Sequence, residues 1–277
     1  MARPIQRDEL PDGVERVRAP NAGPFTLSGT NTYLLGTPAW VIDPGPDDPG
    51  HAERVLAVAS ERGGVAGIVL THRHLDHAGA APAIRLRTGA PLAAGRQAET
   101  GSTSSFQEPS ADRLEVDREL GEGDRIGPFE VIATPGHSAD HVSFLAGDVL
   151  FCGDTVLGEG SVFIPPDGGS LISYLNSLQH LAALPLRALC PGHGPVVWEP
   201  EAKLREYIEH RLDRERRLLE ALAKGLRARE DLLDEAWSDV PKELRPAAAL
   251  TLEAHLQKLA AEGRLPDGVD PPAAAAD

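Results

Sequence analysis

The segment Thr71-His72-Arg73-His74-Leu75-Asp76-His77 follows directly on an apolar run of strand length, Gly67-Ile68-Val69-Leu70. It sets four groups able to bind metal within six positions. On extended chain, residues two apart point the same way, so His72 and His74 can grip one ion together. Asp76 and His77 fall where the chain should turn into a helix, placed to face a second ion. The spacing differs from the helical metalloprotease pattern, in which two histidines stand four apart.

Three further fragments share a design in which a strand ends and a ligand-capable residue follows among glycines. They are Thr134-Pro135-Gly136-His137, Cys152-Gly153-Asp154-Thr155 and Pro191-Gly192-His193-Gly194. Taken singly they say little, since Gly-His-Gly is commonly a turn and Gly-Asp-Thr a cap. The His-x-His-x-Asp-His block weighs more, because burying four such groups without a metal is costly. Pooled, five histidines and two aspartates are too many for one tetrahedral ion and right for two, with one carboxylate bridging. Imidazole and carboxylate donors suit zinc, with iron or manganese as the divalent alternative.

Positioning these residues requires strands that end together. Thr32–Leu35, Ala39–Ile42 and Gly67–Thr71 read as strands. Helical spacing at Ala52, Val55, Leu56 and Ala59, ended by Gly63-Gly64, predicts a helix. Another helix is predicted over Ala78–Arg87, stopped by Gly89, and a short strand over Pro91–Ala94. Phe129–Thr134, Ser143–Leu145, Val149–Phe151 and Leu186–Leu189 complete the strands, with a helix over Leu171–Leu184. This order predicts an α/β fold. From Pro200 the chain turns continuously helical, with helices predicted to Gly225, over Asp231–Trp237 and over Ala247–Ala261. Residues 1–198 therefore read as one domain, 199–265 as a small helical one, and 266–277 as a frayed tail. The polar stretch Arg96–Arg113 reads as a long loop, a candidate for shaping the substrate site.

The chain has 277 residues, 41% of them apolar and 25% charged, enough for a core and unlike a disordered chain. Two cysteines exclude a disulfide framework. No run approaches the roughly 18 apolar residues of a membrane span, and the first residues show no secretory h-region. A cytoplasmic location is the expectation. The net charge of −15 falls mostly on the first 200 residues, which disfavours a polyanionic partner there.

In this order the fragments resemble the metallo-β-lactamase superfamily, whose successive motifs fit Asp43, His72/His74/Asp76/His77, His137, Asp154 and His193. The resemblance implies a four-layer αββα sandwich with a metal pair at the sheet edges. It implies that His72, His74 and His137 hold one ion, that Asp76, His77 and His193 hold the other, and that Asp154 bridges them. It gives Asp43 the task of orienting the histidine loop. Phe25–Leu34, Gly153–Gly160, Pro191–Val196 and the helix from Lys203 are similar to the β-lactamase-like protein 2 family. That family carries a winged-helix-like C-terminal domain and includes a mitochondrial endoribonuclease acting on single-stranded RNA. Nothing at this N-terminus resembles a mitochondrial transit peptide.

Two divalent ions sharing a water lower its pKa, so hydroxide is the expected nucleophile and no catalytic Ser or Cys is needed. Asp76 is the candidate to align it. His141, where the resemblance also has a histidine, is the candidate either to protonate the leaving group or to support the metal residues. Cys152 and Cys190 read as small buried thiols. Many true β-lactamases carry cysteine at the position of Asp154, which argues against antibiotic hydrolysis. Diiron oxygen-reducing relatives carry Glu at the position of His74, which disfavours a redox role.

The substrate expected first is an ester-like acyl bond, thioester or lactone included. Single-stranded RNA is the alternative, drawing on Arg205, Arg211, Arg214, Arg216 and Arg217, although interleaved acids favour an ion-paired helix. A DNA-binding or scaffold role is disfavoured by the near-neutral charge of the helical part and by the complete ligand set.

Overall fold

The computed structural model describes residues 9–97, 114–166 and 168–269. Its inner strands are apolar without alternation because both of their faces are buried. The first sheet holds, in chain order, β1 (Val14–Arg18), β2 (Asn31–Leu35), β3 (Ala39–Ile42), β4 (Val65–Leu70), β5 (Leu92–Gly95) and β6 (Arg118–Leu120). Strands β3 to β6 run parallel. Ile68 and Leu70 pack outward against Ala52, Val55 and Ala59 of helix α1 (Pro49–Glu61). Val69, between them, points inward to Phe129, Phe144 and Phe151.

Helix α2 (Leu75–Ala78) and helix α3 (Ala81–Thr88) stand where one helix over Ala78–Arg87 was expected. Pro82 in the first turn of α3 has no N–H to continue the earlier ladder and its ring crowds the preceding turn, so two helices form. The short α2 is what swings Asp76 and His77 toward the strand ends.

The second sheet holds β7 (Arg125–Ile126), β8 (Phe129–Ala133), β9 (Val142–Ala146), β10 (Val149–Gly153) and β11 (Ala188–Pro191), in the order β11-β10-β9-β8-β7. The strand expected at Leu186–Leu189 lies two residues further on, because Ala188 pairs with Val149 and Leu189 with Leu150. The other face of this sheet, Ile132, Leu150, Cys152 and Leu189, packs on helix α4 (Leu171–Ala182) through Leu171, Tyr174, Leu175 and Leu178. Helix, sheet, sheet and helix make the four layers that the resemblance implies. The edge strands β1, β6 and β7 had no sequence expectation, since each is short and carries charged residues. Most of the Arg96–Arg113 loop lies outside the described residues.

Helix α5 (Pro200–Ala223) connects both parts of the chain. Its first half places Leu204 and Tyr207 in the α4 layer. Its second half places Leu218, Ala221 and Leu222 in a separate cluster with α6 (Arg229–Ala236) and α7 (Arg245–Ala261). No strand occurs beyond residue 198 among the described residues. Leu265 and Val269 pack on this cluster, so ordered packing runs past the expected start of the tail, and residues 270–277 lie outside the description. No helix among the described residues is long and apolar enough to cross a membrane.

His255 of α7 is fully buried beside Trp237, ring centroids 5.7 Å apart, and neither ring nitrogen has a hydrogen-bond partner among the described residues. Burial first, then the charges of Arg211 and Lys258, hold its pKa down to about 3. A depressed histidine pKa means that the unfolded chain binds the proton more readily. Its contribution to stability is therefore present above about pH 6.5 and is lost as pH falls toward about 3. A His255→Leu variant should show a shallower loss in that window, by up to about 1.4 kcal/mol per pH unit, in urea titrations across pH. An unchanged slope would show that His255 is not the group taking up the proton.

Candidate metal centre

Parallel strands gather their carboxyl ends on one side of a sheet, which is where α/β folds build sites. Asp43 follows β3, the 71–77 segment follows β4, His137 follows β8, Asp154 follows β10 and His193 follows β11. All seven residues expected to bind metal meet there. His72, His74 and His137 form one group whose ligand atoms lie within 4.8 Å of one another, and Asp76, His77 and His193 form another. Asp154 groups with His72 and His77. It also reaches His193 Nε2 at 3.3 Å and His137 Nε2 at 3.9 Å, so its carboxylate stands between the two sets.

Within the first set, His72 Nε2 is 3.0 Å from His74 Nδ1, and His137 Nε2 is 3.1 Å from the same atom. A tetrahedral ion with bonds of about 2.0–2.1 Å holds nitrogen ligands about 3.3 Å apart, close to this spacing. In the second set, His193 Nε2 lies 3.2 Å from both His77 Nε2 and Asp76 Oδ2.

The rings are aimed by their outer nitrogens. Asp43 accepts from the Thr71 backbone N–H on Oδ1 and from the Thr71 hydroxyl on Oδ2, both at 2.7 Å. Its Oδ2 also accepts from His77 Nδ1–H at 2.9 Å. The Thr71 hydroxyl, having given its proton to Asp43, accepts from His72 Nδ1–H at 3.0 Å. His137 Nδ1–H donates to the Phe163 carbonyl at 2.8 Å. In each ring the inner Nε2 is left with its lone pair facing the centre, the arrangement that makes imidazole a ligand. Asp43 thus contacts both ends of the histidine segment, at Thr71 and His77. Thr71 and the Phe163 carbonyl were not foreseen; a threonine directly before the first histidine was the available signal for one, and nothing in the sequence marked the other.

Arg73 ties the histidine segment down, donating to the Gly95 carbonyl at 2.7 Å and to Asp140 at 2.9 Å. Asn31 donates to the carbonyls of Pro191 and Gly194, bracketing His193.

His141 is buried and lies under His72, rings 5.0 Å apart and nearly parallel. Its Nε2 accepts from the Asp154 backbone N–H at 3.2 Å, so its proton sits on Nδ1, which faces the Thr134 hydroxyl at 2.8 Å. Both nitrogens are engaged with the protein. Cys152 and Cys190 are buried in apolar clusters on opposite faces of the second sheet.

The cage is electrostatically hungry for positive charge. Burial alone would lower the pKa of His193, but Asp154 and Asp76 outweigh it and hold the group up to about 9. His77 is likewise raised against burial by Asp76, Asp154 and Asp43. Burial would raise Asp76, yet His77 and His193 pull it down to about 2. Asp154 Oδ1 is buried with no hydrogen-bond partner among the described residues. Seven converging donors, aimed lone pairs and an orphaned carboxylate oxygen fit a cation-binding site.

Backbone approach matters at Gly192. A Cβ there would press on Asp154 Oδ1 and lie 2.5 Å from His77 Cε1. Gly192→Ala is expected to keep cooperative unfolding while zinc affinity, read by competition with a chelating dye, falls about 10–100-fold, the usual cost of disturbing the surroundings of metal ligands. Undiminished affinity would show that Asp154 and His77 are not gripping the ion.

A cavity of about 390 Å³ opens on His137 and Asp154 and extends to the helical domain at Trp237, Val240, Leu244 and Ala248. The arginines of α5 do not form a free basic strip. Arg205 pairs with Glu201, Arg214 with Asp239, Arg216 with Asp213 and Glu220, and Arg217 with Asp213 and Asp239.

Residues 25–193 match the model of the metallo-beta-lactamase superfamily, and residues 230–267 match that of the beta-lactamase associated winged helix domain. The chain is 34% identical over 267 residues to a beta-lactamase-like protein 2 homolog of Caenorhabditis elegans, covering 92% of this chain and 87% of the relative. It is 34% identical over 225 residues to the atrochrysone carboxyl ACP thioesterase of Aspergillus fumigatus, covering 78% of this chain and 66% of the relative. Among solved structures, one described as a di-iron-bound form is similar at 32% identity, with a TM-score of 0.51, over 65% of this chain and 93% of that one. With the αββα layers, the histidine segment after β4 and the helical domain on the second sheet, this chain belongs to the metallo-β-lactamase superfamily of hydrolases.

Proposed function

We propose that the protein is a two-metal hydrolase of ester-like acyl bonds, thioesters foremost. The observation that carries this reading is a seven-residue cage opening on a cavity whose walls are mainly apolar. His72, His74 and His137 would hold one ion, Asp76, His77 and His193 the other, and Asp154 both. Zinc suits these donors, and a similar structure in a di-iron-bound form keeps iron in view. When bound, such ions polarise a carbonyl oxygen and bring the pKa of water near neutrality.

The protein's own groups then divide the remaining work. Asp76 is the most accessible carboxylate of the cage, 28% exposed, with its Oδ2 near His193 and the Thr30 hydroxyl. It is placed to accept a hydrogen bond from the attacking water and to align it. Asp43, through Thr71 and His77, keeps the imidazoles in the ligating tautomer. His141 acts as a positioning residue for Asp154 rather than as an acid, since both of its nitrogens are occupied by protein groups. The thioesterase name of one relative favours the acyl substrate. The ion-paired state of the α5 arginines gives a phosphate backbone little to bind.

Protein stripped by chelation should lose thioester hydrolysis and regain it with zinc, iron(II) or manganese(II). Asp154→Ala should cost more than about 100-fold in kcat/KM, beyond what supporting residues cost. Labelled single-stranded RNA should stay intact beside the thioester panel; cleavage of RNA with the thioesters untouched would overturn the acyl reading in favour of endoribonuclease action.

A further inference from the structure

The most deeply buried arginine of α5 has no acidic partner among the described residues. Arg211 of α5 is 2% exposed and lines the cavity that opens on His137 and Asp154. Its Nη2 donates to the Ser161 hydroxyl at 3.1 Å and to the Val162 carbonyl, and its guanidinium lies 5.5 Å from the centre of the Tyr174 ring. These partners are neutral. Its Nε has no hydrogen-bond partner, and no carboxylate pairs with it among the described residues. The four neighbouring arginines of the same helix all have acidic partners. A buried guanidinium is costly unless an anion faces it, and its fork geometry matches a carboxylate.

The surroundings select the anion. Besides Asp154, the acid lining this cavity is Glu159, which is exposed. Arg214 also lines it but is held by both oxygens of Asp239. His210 sits low, at about 4, through burial and then the charge of Arg211, so it adds no cation at neutral pH. One unmatched positive charge calls for one negative charge. The helical domain adds an apolar lining, Val240, Leu244, Ala247 and Ala248, and Phe25 and Leu244 are exposed.

Resting on the acyl-hydrolase reading, we propose that the substrate's acyl group carries a second, free carboxylate that docks on Arg211. Its apolar body lies against the helical domain, which thereby becomes a specificity wall. Hydrolysis breaks the acyl–sulfur bond. The oxygen of water joins the carbonyl carbon, the thiol leaves with a proton, and the product is a dicarboxylic acid. The Val162 carbonyl that Arg211 holds is adjacent in sequence to the Phe163 carbonyl that orients His137, so the same loop joins both ends of the substrate site.

The test compares N-acetylcysteamine thioesters in matched pairs, glutaryl against pentanoyl, adipoyl against hexanoyl and pimeloyl against heptanoyl, on zinc-loaded protein. The carboxylate-bearing member of at least one pair should be preferred in kcat/KM by about 10- to 100-fold, the worth of a charged hydrogen bond. Arg211→Gln should collapse that ratio, and Arg211→Lys should keep part of it. A role confined to tethering the 161–163 loop would lower both members alike and leave the ratio standing, which overturns the proposal. So would a ratio near one in every wild-type pair, with the acyl-hydrolase reading intact. Binding of the free dicarboxylates, followed by Trp237 fluorescence, gives a second readout. Arg211-dependent binding without turnover of any thioester would uphold the anion site and sink the hydrolase reading; binding indifferent to Arg211 would count against the anion site.

Discussion

Everything at the centre of this molecule answers to one constraint, that a buried group of three carboxylates and several imidazoles must be compensated by positive charge. Asp43, Asp76 and Asp154 raise His77 against burial, and Asp154 and Asp76 do the same for His193. A cation relieves the same imbalance without protons, which is why ligand binding and proton release are linked at such sites. The sandwich meets the constraint by confining these groups to strand ends, where backbone dipoles, turns and hydrogen-bond donors are at hand.

The precision of the cage comes from a second ring of contacts. Asp43 takes three hydrogen bonds in the space of two residues' reach, two from Thr71 and one from His77. That arrangement settles which nitrogen of His72 and of His77 faces inward. His141 does the same for the Asp154 backbone, and the Phe163 carbonyl for His137. Loss of any of these leaves the ligand present but free to turn, a smaller change in composition than in function.

The helical domain lines the same cavity as His137 and Asp154. Tyr207 of α5 accepts from the Leu157 N–H and donates to the Gly160 carbonyl, and Arg211 one turn later holds Val162. Helix α5 therefore grips the loop after Asp154 from Leu157 to Val162, while its far half builds the cluster that closes the cavity. A family fold with a common metal-binding edge gains a cavity of its own from the element packed beside that edge.

Residue type and local spacing were enough to single out the seven candidate ligands and the α/β order, because the ligand-capable residues fall directly after apolar runs of strand length, while the role of Asp43 came from the family resemblance. The same local signals misplaced β11 by two residues and began α3 three residues early, since register depends on a partner strand and the start of α3 on Pro82. The edge strands β1, β6 and β7 carried too little apolar pattern to be seen. What only the tertiary structure decided were relations between distant segments. They are the pairing of Thr71 with Asp43, the use of both His141 nitrogens, the pairing of four α5 arginines with acids and the isolation of Arg211. Sequence states which charges exist, but whether a charge is satisfied depends on what the folded chain brings within a few ångströms of it.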